Sequence, residues 1–81
     1  MKKRYTDGIV PATAKEARSE IAKQLKACRL SCEMTQESLA KLCDTDKSNI
    51  SRMESGVYNP TIDFLVKVAD SMGKEISISI A

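Results

Sequence analysis

The sequence predicts an all-α domain of four helices followed by a short C-terminal β-strand. Apolar residues between Ala14 and Met72 recur mostly at intervals of three and four, the spacing of a helix face that packs against a core. Capping residues, Gly and Pro divide this region into four helices rather than one. After Gly73 the spacing changes to a strict alternation of Ile and Ser, which is typical of a strand.

Composition and charge indicate one small domain with a basic N-terminal part. The chain has 81 residues, of which 42% are hydrophobic and 4% aromatic, so oligomerisation is expected to add to the stability of a modest core. So few aromatic residues argue against a stacking-based single-strand binder. Residues 1–31 hold eight Lys/Arg against three Asp/Glu (+5), and residues 32–81 hold five against eight (−3). The basic residues 1–31 are expected to bind nucleic acid or an acidic protein, or alternatively to form a solvated helix face.

The three cysteines and the lack of long apolar runs point to a cytoplasmic protein. No apolar run approaches the roughly 20 residues of a membrane span, and no signal-peptide core follows the first lysines. Cys28, Cys32 and Cys43 are odd in number and are expected to stay reduced. Three thiols without a histidine suit structural zinc poorly. We therefore expect the three cysteines to act as small buried hydrophobic residues, and we expect no metal and no cofactor.

The first helix is expected to follow a basic arm. Residues 1–12 are polar and show no helical or strand period, which indicates a mobile arm. Thr13 and Glu16 have the spacing of a capping box, which places the helix at about residues 14–31. Its far face is basic, with Lys15, Arg18, Lys23, Lys26 and Arg29.

Two short helices are expected next, each opened by a capping residue. Thr35 caps the second helix, and Asp46 caps the third by accepting a hydrogen bond from the Asn49 N–H group. Gly56 ends the third helix. The residues expected to be buried on these helices are Leu39, Ala40, Cys43, Ile50 and Met53.

Thr61 is expected to cap the fourth helix and Gly73 to end it, which completes a domain at residues 13–74. The residues expected to form its buried stripe are Ile62, Leu65, Val66, Ala69 and Met72.

Residues 75–81 are expected to form a dimerisation strand. Ile76, Ile78 and Ile80 alternate with serines and lie on one face of such a strand. A single strand cannot satisfy its own backbone groups, so it is expected to pair with the same strand of a second copy across a two-fold axis. A frayed tail is the alternative.

The second and third helices are joined by little more than Asp44-Thr45, which predicts a helix-turn-helix unit. Helices joined so tightly must cross steeply rather than pack antiparallel. In that geometry the first helix of the unit lies against a phosphate strand, and the second enters the major groove of double-stranded DNA.

Residues 21–73 resemble the Xre family of helix-turn-helix regulators, the class of the lambdoid phage Cro and cI repressors. The resemblance implies a lambda-repressor-like bundle. The matching residues are Thr35-Gln36, Leu39-Ala40, Asp46 to Ile50, Ser51 to Gly56, and Asn59-Pro60.

The resemblance also implies site residues. It implies phosphate contacts at the start of the second helix and after the third helix, and an arginine–glutamate pair that holds the third helix in place. Arg52 is suited to bidentate recognition of guanine. The implied phosphate-contact residues are Thr35, Gln36, Tyr58 and Asn59. The implied base-reading residues are Lys47, Ser48, Asn49, Ser51 and Arg52. The implied structural ion pair is Arg29 with Glu54.

For some of these site residues a purely structural role is the alternative. Two other residues, Asp44 and Asp46, depart from the family pattern. Lys47 to Asn49 also suit an ordinary polar helix start, and Tyr58 also suits packing on its loop. Asp44 replaces a common Gly, but Asp tolerates the left-handed conformation. Asp46 would repel a neighbouring phosphate.

The predicted function is a homodimeric repressor that binds an inverted-repeat operator in double-stranded DNA. The small size, basic arm and lone strand resemble the antitoxins of toxin–antitoxin operons, which implies a toxin partner. A stand-alone or phage-type repressor and a protein-only adaptor with a vestigial helix-turn-helix are the alternatives. An enzyme is disfavoured because the chain has no histidine and no glycine-rich phosphate loop.

Overall fold

The described part of the molecule consists of helices joined by short turns. The computed structural model describes residues 12–80, so the predicted basic arm lies outside the described residues except for its last residue, which begins the first helix. The prediction of an all-α, four-helix domain is confirmed within this range. The helices are α1 (Ala12–Ser31), α2 (Gln36–Leu42), α3 (Lys47–Ser55) and α4 (Ile62–Ser71).

Two of the predicted helix caps are present as side-chain hydrogen bonds. The Thr35 hydroxyl accepts from the Ser38 N–H group at 3.0 Å, and the Thr61 hydroxyl accepts from the Phe64 N–H group at 3.0 Å. Each bond satisfies a backbone donor that the first turn of a helix leaves without a partner. The starts of α2 and α4 are therefore determined locally.

Of the other two predicted caps, Thr13 is wrong, whereas Asp46 has the cap position without the expected side-chain hydrogen bond. Thr13 lies inside α1, because the helix already includes Ala12, a strong helix former. Asp46 precedes α3 with an extended backbone, but its carboxylate makes no capping hydrogen bond. Instead its carbonyl oxygen accepts from the Asn49 N–H group at 3.0 Å, and the exposed side chain remains in water.

The turn between α2 and α3 depends on a left-handed residue. Asp44 has φ 52°, in agreement with the expectation that Asp can replace Gly there. The Thr45 N–H group donates to the Ala40 carbonyl at 2.9 Å, and the Asp44 N–H group donates to the Lys41 carbonyl at 3.2 Å. This is the Schellman arrangement, which ends α2 abruptly and lets α3 start at Lys47, two residues after Thr45.

The core lies where α2 meets the other helices. Helix α3 packs against both α1 and α2, and α2 also packs against α4. The burial predicted for α2 and α3 is confirmed. The largest side chains that are fully buried are Leu39, Cys43, Ile50 and Val68.

The predicted buried stripe of α4 is partly wrong. Ile62 is 60% exposed and Val66 is 46% exposed, whereas Val68 is fully buried. The buried face is Leu65, Val68, Ala69 and Met72, which keeps helical spacing but is rotated from the predicted stripe. The packing of α4 covers only that face, and Ile62 and Val66 flank it on the open side.

The predicted C-terminal strand is not supported. Among the described residues no strand is present, and no backbone hydrogen bond joins residues 75–80 to another part of the described chain. Ile76 is half-buried against the core, but Ile78 is 64% exposed and Ile80 is 96% exposed. Alternating sequence assigns side chains to two faces but supplies no neighbouring strand, and a strand without a neighbour leaves its backbone groups unpaired.

None of the helices in residues 12–80 combines the length and apolar character needed to cross a bilayer.

Candidate nucleic-acid interface

The exposed face of α3 carries most of the residues predicted to read bases. At about 3.6 residues per turn, four of the five lie within one half of the helix circumference, opposite the buried Ile50 and Met53. Within residues 12–80, no carboxylate oxygen lies within 4 Å of the Lys47 or Arg52 cations. The exposed side chains of this face are Lys47, Ser48, Ser51 and Arg52.

Asn49, the fifth predicted base reader, is not grouped with them. It is half-buried at the edge of the α3 face, and its Nδ2 donates to Thr45 Oγ1 at 2.9 Å. This hydrogen bond ties the first turn of α3 to the preceding turn. The structure therefore gives the Asn49 side chain a local partner that its position in the sequence did not indicate.

A buried ion pair holds one flank of α3, near the end of the helix. Arg29 Nε donates to Glu54 Oε2 at 2.7 Å, and Arg29 Nη2 donates to Glu54 Oε1 at 3.0 Å. The side chains are only 9% and 4% exposed, so the pair is shielded from water. The hydrogen bond to Glu54 raises the pKa of Arg29 despite the opposing effect of burial. The bidentate geometry fixes both the distance and the orientation of α1 against α3.

Two further hydrogen bonds extend this pair to the start of α2. Arg29 Nη1 donates to the Met34 carbonyl at 2.7 Å, and Gln36 Nε2 donates to Glu54 Oε1 at 3.1 Å. We call Arg29, Met34, Gln36 and Glu54 the α3 clamp. Gln36 keeps its Oε1 and a second N–H for an external ligand, while the clamp limits where its amide can point.

The other predicted phosphate-contact residues differ in how freely they could contact DNA. Thr35 is exposed, but its hydroxyl is engaged with Ser38 through both its hydrogen and its oxygen. Tyr58 is half-buried and, with Met53, lines an apolar pocket of about 160 Å³. This position is compatible with the alternative that Tyr58 packs on its loop. Asn59 is exposed on the loop after α3. Asn59 is therefore the less constrained residue of this loop.

The three cysteines lie in or beside the core. Cys43 is fully buried, and its Sγ donates to Ser71 Oγ at 3.3 Å. Cys28 and Cys32 are half-buried and pack against the core. In the part of the chain that the structure describes, no three His, Cys, Asp or Glu side chains are placed to hold a metal ion.

The helix-turn-helix region of this chain matches a known family. Residues 25–78, which include α2, the turn and α3, match the helix-turn-helix family HTH_3. The chain belongs to this family. The Xre resemblance is thereby confirmed at the level of the family. A comparison with curated protein sequences gave no significant match.

Solved structures share the same fold. An HTH_3 family transcriptional regulator from Vibrio cholerae is 31% identical, with a TM-score of 0.72 over 76% of this chain. This chain spans only 35% of that regulator. The hypothetical transcription factor NHTF from Neisseria is 24% identical, covering 89% of this chain and 82% of that one, with a TM-score of 0.70. A toxin–antitoxin module from Streptococcus pneumoniae is 23% identical, covering 91% and 85%, with a TM-score of 0.67. At these lower identities, the last two likenesses concern the fold alone.

Proposed function

We propose that this protein is a transcriptional repressor that binds a specific inverted repeat in double-stranded DNA as a homodimer. The observation that carries the proposal is the exposed α3 face, with its two cations and two hydroxyls, presented by a helix that the clamp fixes to α1 and α2. A rigid helix with an exposed polar face meets the main requirement for reading base edges in the major groove.

Residues outside the exposed α3 face are proposed to position the protein on DNA. We infer that Gln36 at the start of α2 and Asn59 in the loop after α3 contact phosphates, while α3 reads bases. Tyr58 is proposed to support the loop after α3 by packing. Thr35 is proposed to act indirectly, by capping the helix that carries Gln36. Phosphate contacts set the position of a protein on DNA, whereas base contacts determine which sequence is bound.

Binding to a selected DNA duplex tests the proposal. The affinity is expected to fall as salt is raised from about 50 mM to 200 mM, since cations brought into the interface release counterions from the DNA. A Lys47→Ala/Arg52→Ala variant that remains folded should lose sequence preference. A matched control is Lys23→Ala/Lys26→Ala, which also removes two positive charges, but from exposed positions on α1. Undiminished binding by the α3 variant would contradict the site assignment. Absence of any salt-dependent binding would favour the adaptor alternative.

The homodimer is proposed to form at a groove between α1, α4 and the C-terminal segment rather than by strand pairing. The groove has a volume of about 400 Å³ and is lined by Ile21, Leu25, Ile62 and Ile78, among others. Ile62 and Ile78 are more than half exposed in the monomer. Lys74 and Glu75 supply both charge signs at its edge, which suits a two-fold interface where each meets its opposite.

Mass measurement in solution tests the dimer. The full chain is expected to be dimeric, and Ile62→Asp or Ile78→Asp should shift it toward monomer by placing a charge in the interface. Leu42→Asp is the matched control, because Leu42 is 58% exposed but does not line the groove. A dimer that survives both groove substitutions would contradict this interface.

Of the two kinds of repressor, we propose an antitoxin that represses its own operon, rather than a stand-alone repressor. The support is the fold shared with the toxin–antitoxin module from Streptococcus pneumoniae over 91% of this chain. Co-expression with the product of the adjacent reading frame tests this. Co-purification of the two proteins, together with relief of growth arrest, is expected. If the product of the adjacent reading frame, expressed alone, did not affect growth, the result would favour the stand-alone repressor.

A further inference from the structure

The exposed face of α3 has a specific arrangement of charges and hydroxyls. Lys47 and Arg52 lie on its two flanks, about 140° apart around the helix, and Ser48 and Ser51 lie between them. We propose that Lys47 and Arg52 each read a guanine, so that one half-site contains two G·C pairs within about three base pairs of each other. This inference rests on the proposed DNA-binding function and specifies its ligand.

The donor and acceptor chemistry of the two cations favours guanine. Lysine and arginine side chains carry hydrogen-bond donors but no acceptor. In the major groove guanine presents two adjacent acceptors, N7 and O6, whereas adenine presents N7 beside an N6 donor and cytosine presents a donor. Each cation therefore meets two compatible groups only on guanine.

The exposed face of α3 carries no amide, the group suited to adenine. Bidentate reading of adenine needs an amide that donates to N7 and accepts from N6. The amide of α3 is Asn49, which is half-buried and already donates from Nδ2 to Thr45 Oγ1 at 2.9 Å. Asn49 keeps its Oδ1 and a second N–H group, but it lies about 130° around the helix from the centre of the exposed face. Lys47 and Arg52 lie on the flanks of that face and have no carboxylate partner among residues 12–80.

The spacing of the cations sets the spacing of the guanines. Arg52 lies five positions after Lys47, which is about 7.5 Å along the helix axis. Base pairs are about 3.4 Å apart along the duplex axis, so this length of α3 spans at most about two base-pair steps. Ser48 and Ser51 are short, which allows the helix to approach the bases closely enough for the longer side chains to reach them.

The competing arrangement is that both cations neutralise phosphates on the walls of the groove. In that case Lys47→Ala and Arg52→Ala would weaken binding to all sequences alike, with little change in the preferred sequence.

Selection from a random duplex library, followed by affinity measurements with the full chain, tests the inference. The selected half-site is expected to contain two guanines at the proposed spacing. Replacing either G·C pair by A·T should weaken binding roughly 5- to 150-fold. Replacing either guanine by 7-deazaguanine, which lacks the N7 acceptor but keeps Watson–Crick pairing, should also weaken binding.

Variants of the protein assign each guanine to a side chain. In Arg52→Ala, 7-deazaguanine at one of the two positions should cause no further loss, and in Lys47→Ala the same should hold at the other position. Lys23→Ala is the control that removes one charge and should keep both effects. An enriched half-site without guanine, or insensitivity to 7-deazaguanine, would overturn the inference and leave DNA binding intact. Failure to enrich any sequence would overturn the proposed function itself.

Discussion

Arg29 and Glu54 are separated by 25 residues in the sequence and joined by two hydrogen bonds, of 2.7 Å and 3.0 Å, in the fold. Glu54 lies one turn beyond Ile50 on the inner side of α3, so the pair holds α3 from behind while its outer face stays exposed. The same carboxylate also accepts from Gln36 at 3.1 Å. A single buried carboxylate thus sets the relative positions of three helices.

Removing the charge of Glu54 is expected to destabilise the protein strongly. Glu54→Gln leaves the buried Arg29 cation without its partner, and we expect the free energy of unfolding to fall by about 3 kcal/mol. Urea denaturation followed by circular dichroism measures this change. The double variant Arg29→Met/Glu54→Leu should regain part of the loss, because it removes both charges and restores apolar packing. A change below about 1 kcal/mol in Glu54→Gln would show that the pair contributes little.

The helix caps are expected to differ in strength according to their hydrogen bonds. Thr35→Ala removes the acceptor of the Ser38 N–H group and should lower the free energy of unfolding by about 1 kcal/mol. Asp46→Ala should cost less, because the Asp46 side chain makes no capping hydrogen bond. Thermal or urea denaturation of the two variants compares them directly. Equal losses would indicate that the Asp46 carboxylate stabilises α3 as a cap after all.

Two glycines with similar backbone angles are expected to respond differently to alanine. Gly56 has φ 78°, and a Cβ atom there would lie 3.3 Å from the Ser19 Cα atom of α1. Gly73 has φ 71° but would place its Cβ atom in open space. Gly73→Ala should therefore cost only the left-handed penalty of roughly 1–2 kcal/mol, and Gly56→Ala should cost more. The denaturation midpoints measure both, and a larger loss at Gly73 would contradict this packing of α1 on α3.

The two valines of α4 test the face that this helix buries. Val68→Ala should lower the free energy of unfolding by about 2 kcal/mol, because it removes fully buried methyl groups and leaves a cavity. Val66 is 46% exposed, and Val66→Ala should cost less than about 1 kcal/mol. Comparing the two in denaturant distinguishes the observed face from the predicted one. If the two losses were reversed, the orientation of α4 would be wrong.

The sequence by itself was sufficient for features that depend on a few neighbouring residues. Thr35 and Thr61 were identified as caps because a cap is a hydrogen bond over three residues, and Gly56 because a left-handed helix end favours glycine. The burial of Leu39 and Ile50 followed from helical spacing alone. Family resemblance paired Arg29 with Glu54, which spacing could not have done across 25 residues.

Only the tertiary structure decided features that depend on distant neighbours. Periodicity gave α4 an apolar face but not its rotation, which the packing of the core set at Val68 rather than Val66. The Ile/Ser alternation described two faces for the C-terminal segment, yet a strand needs a neighbour to pair with, and residues 12–80 provide none. The hydrogen bonds from Gln36 to Glu54 and from Arg29 to the Met34 carbonyl likewise appear only once the helices are packed. Local hydrogen bonds and spacing determine the helices, whereas long-range packing determines which faces remain free to act.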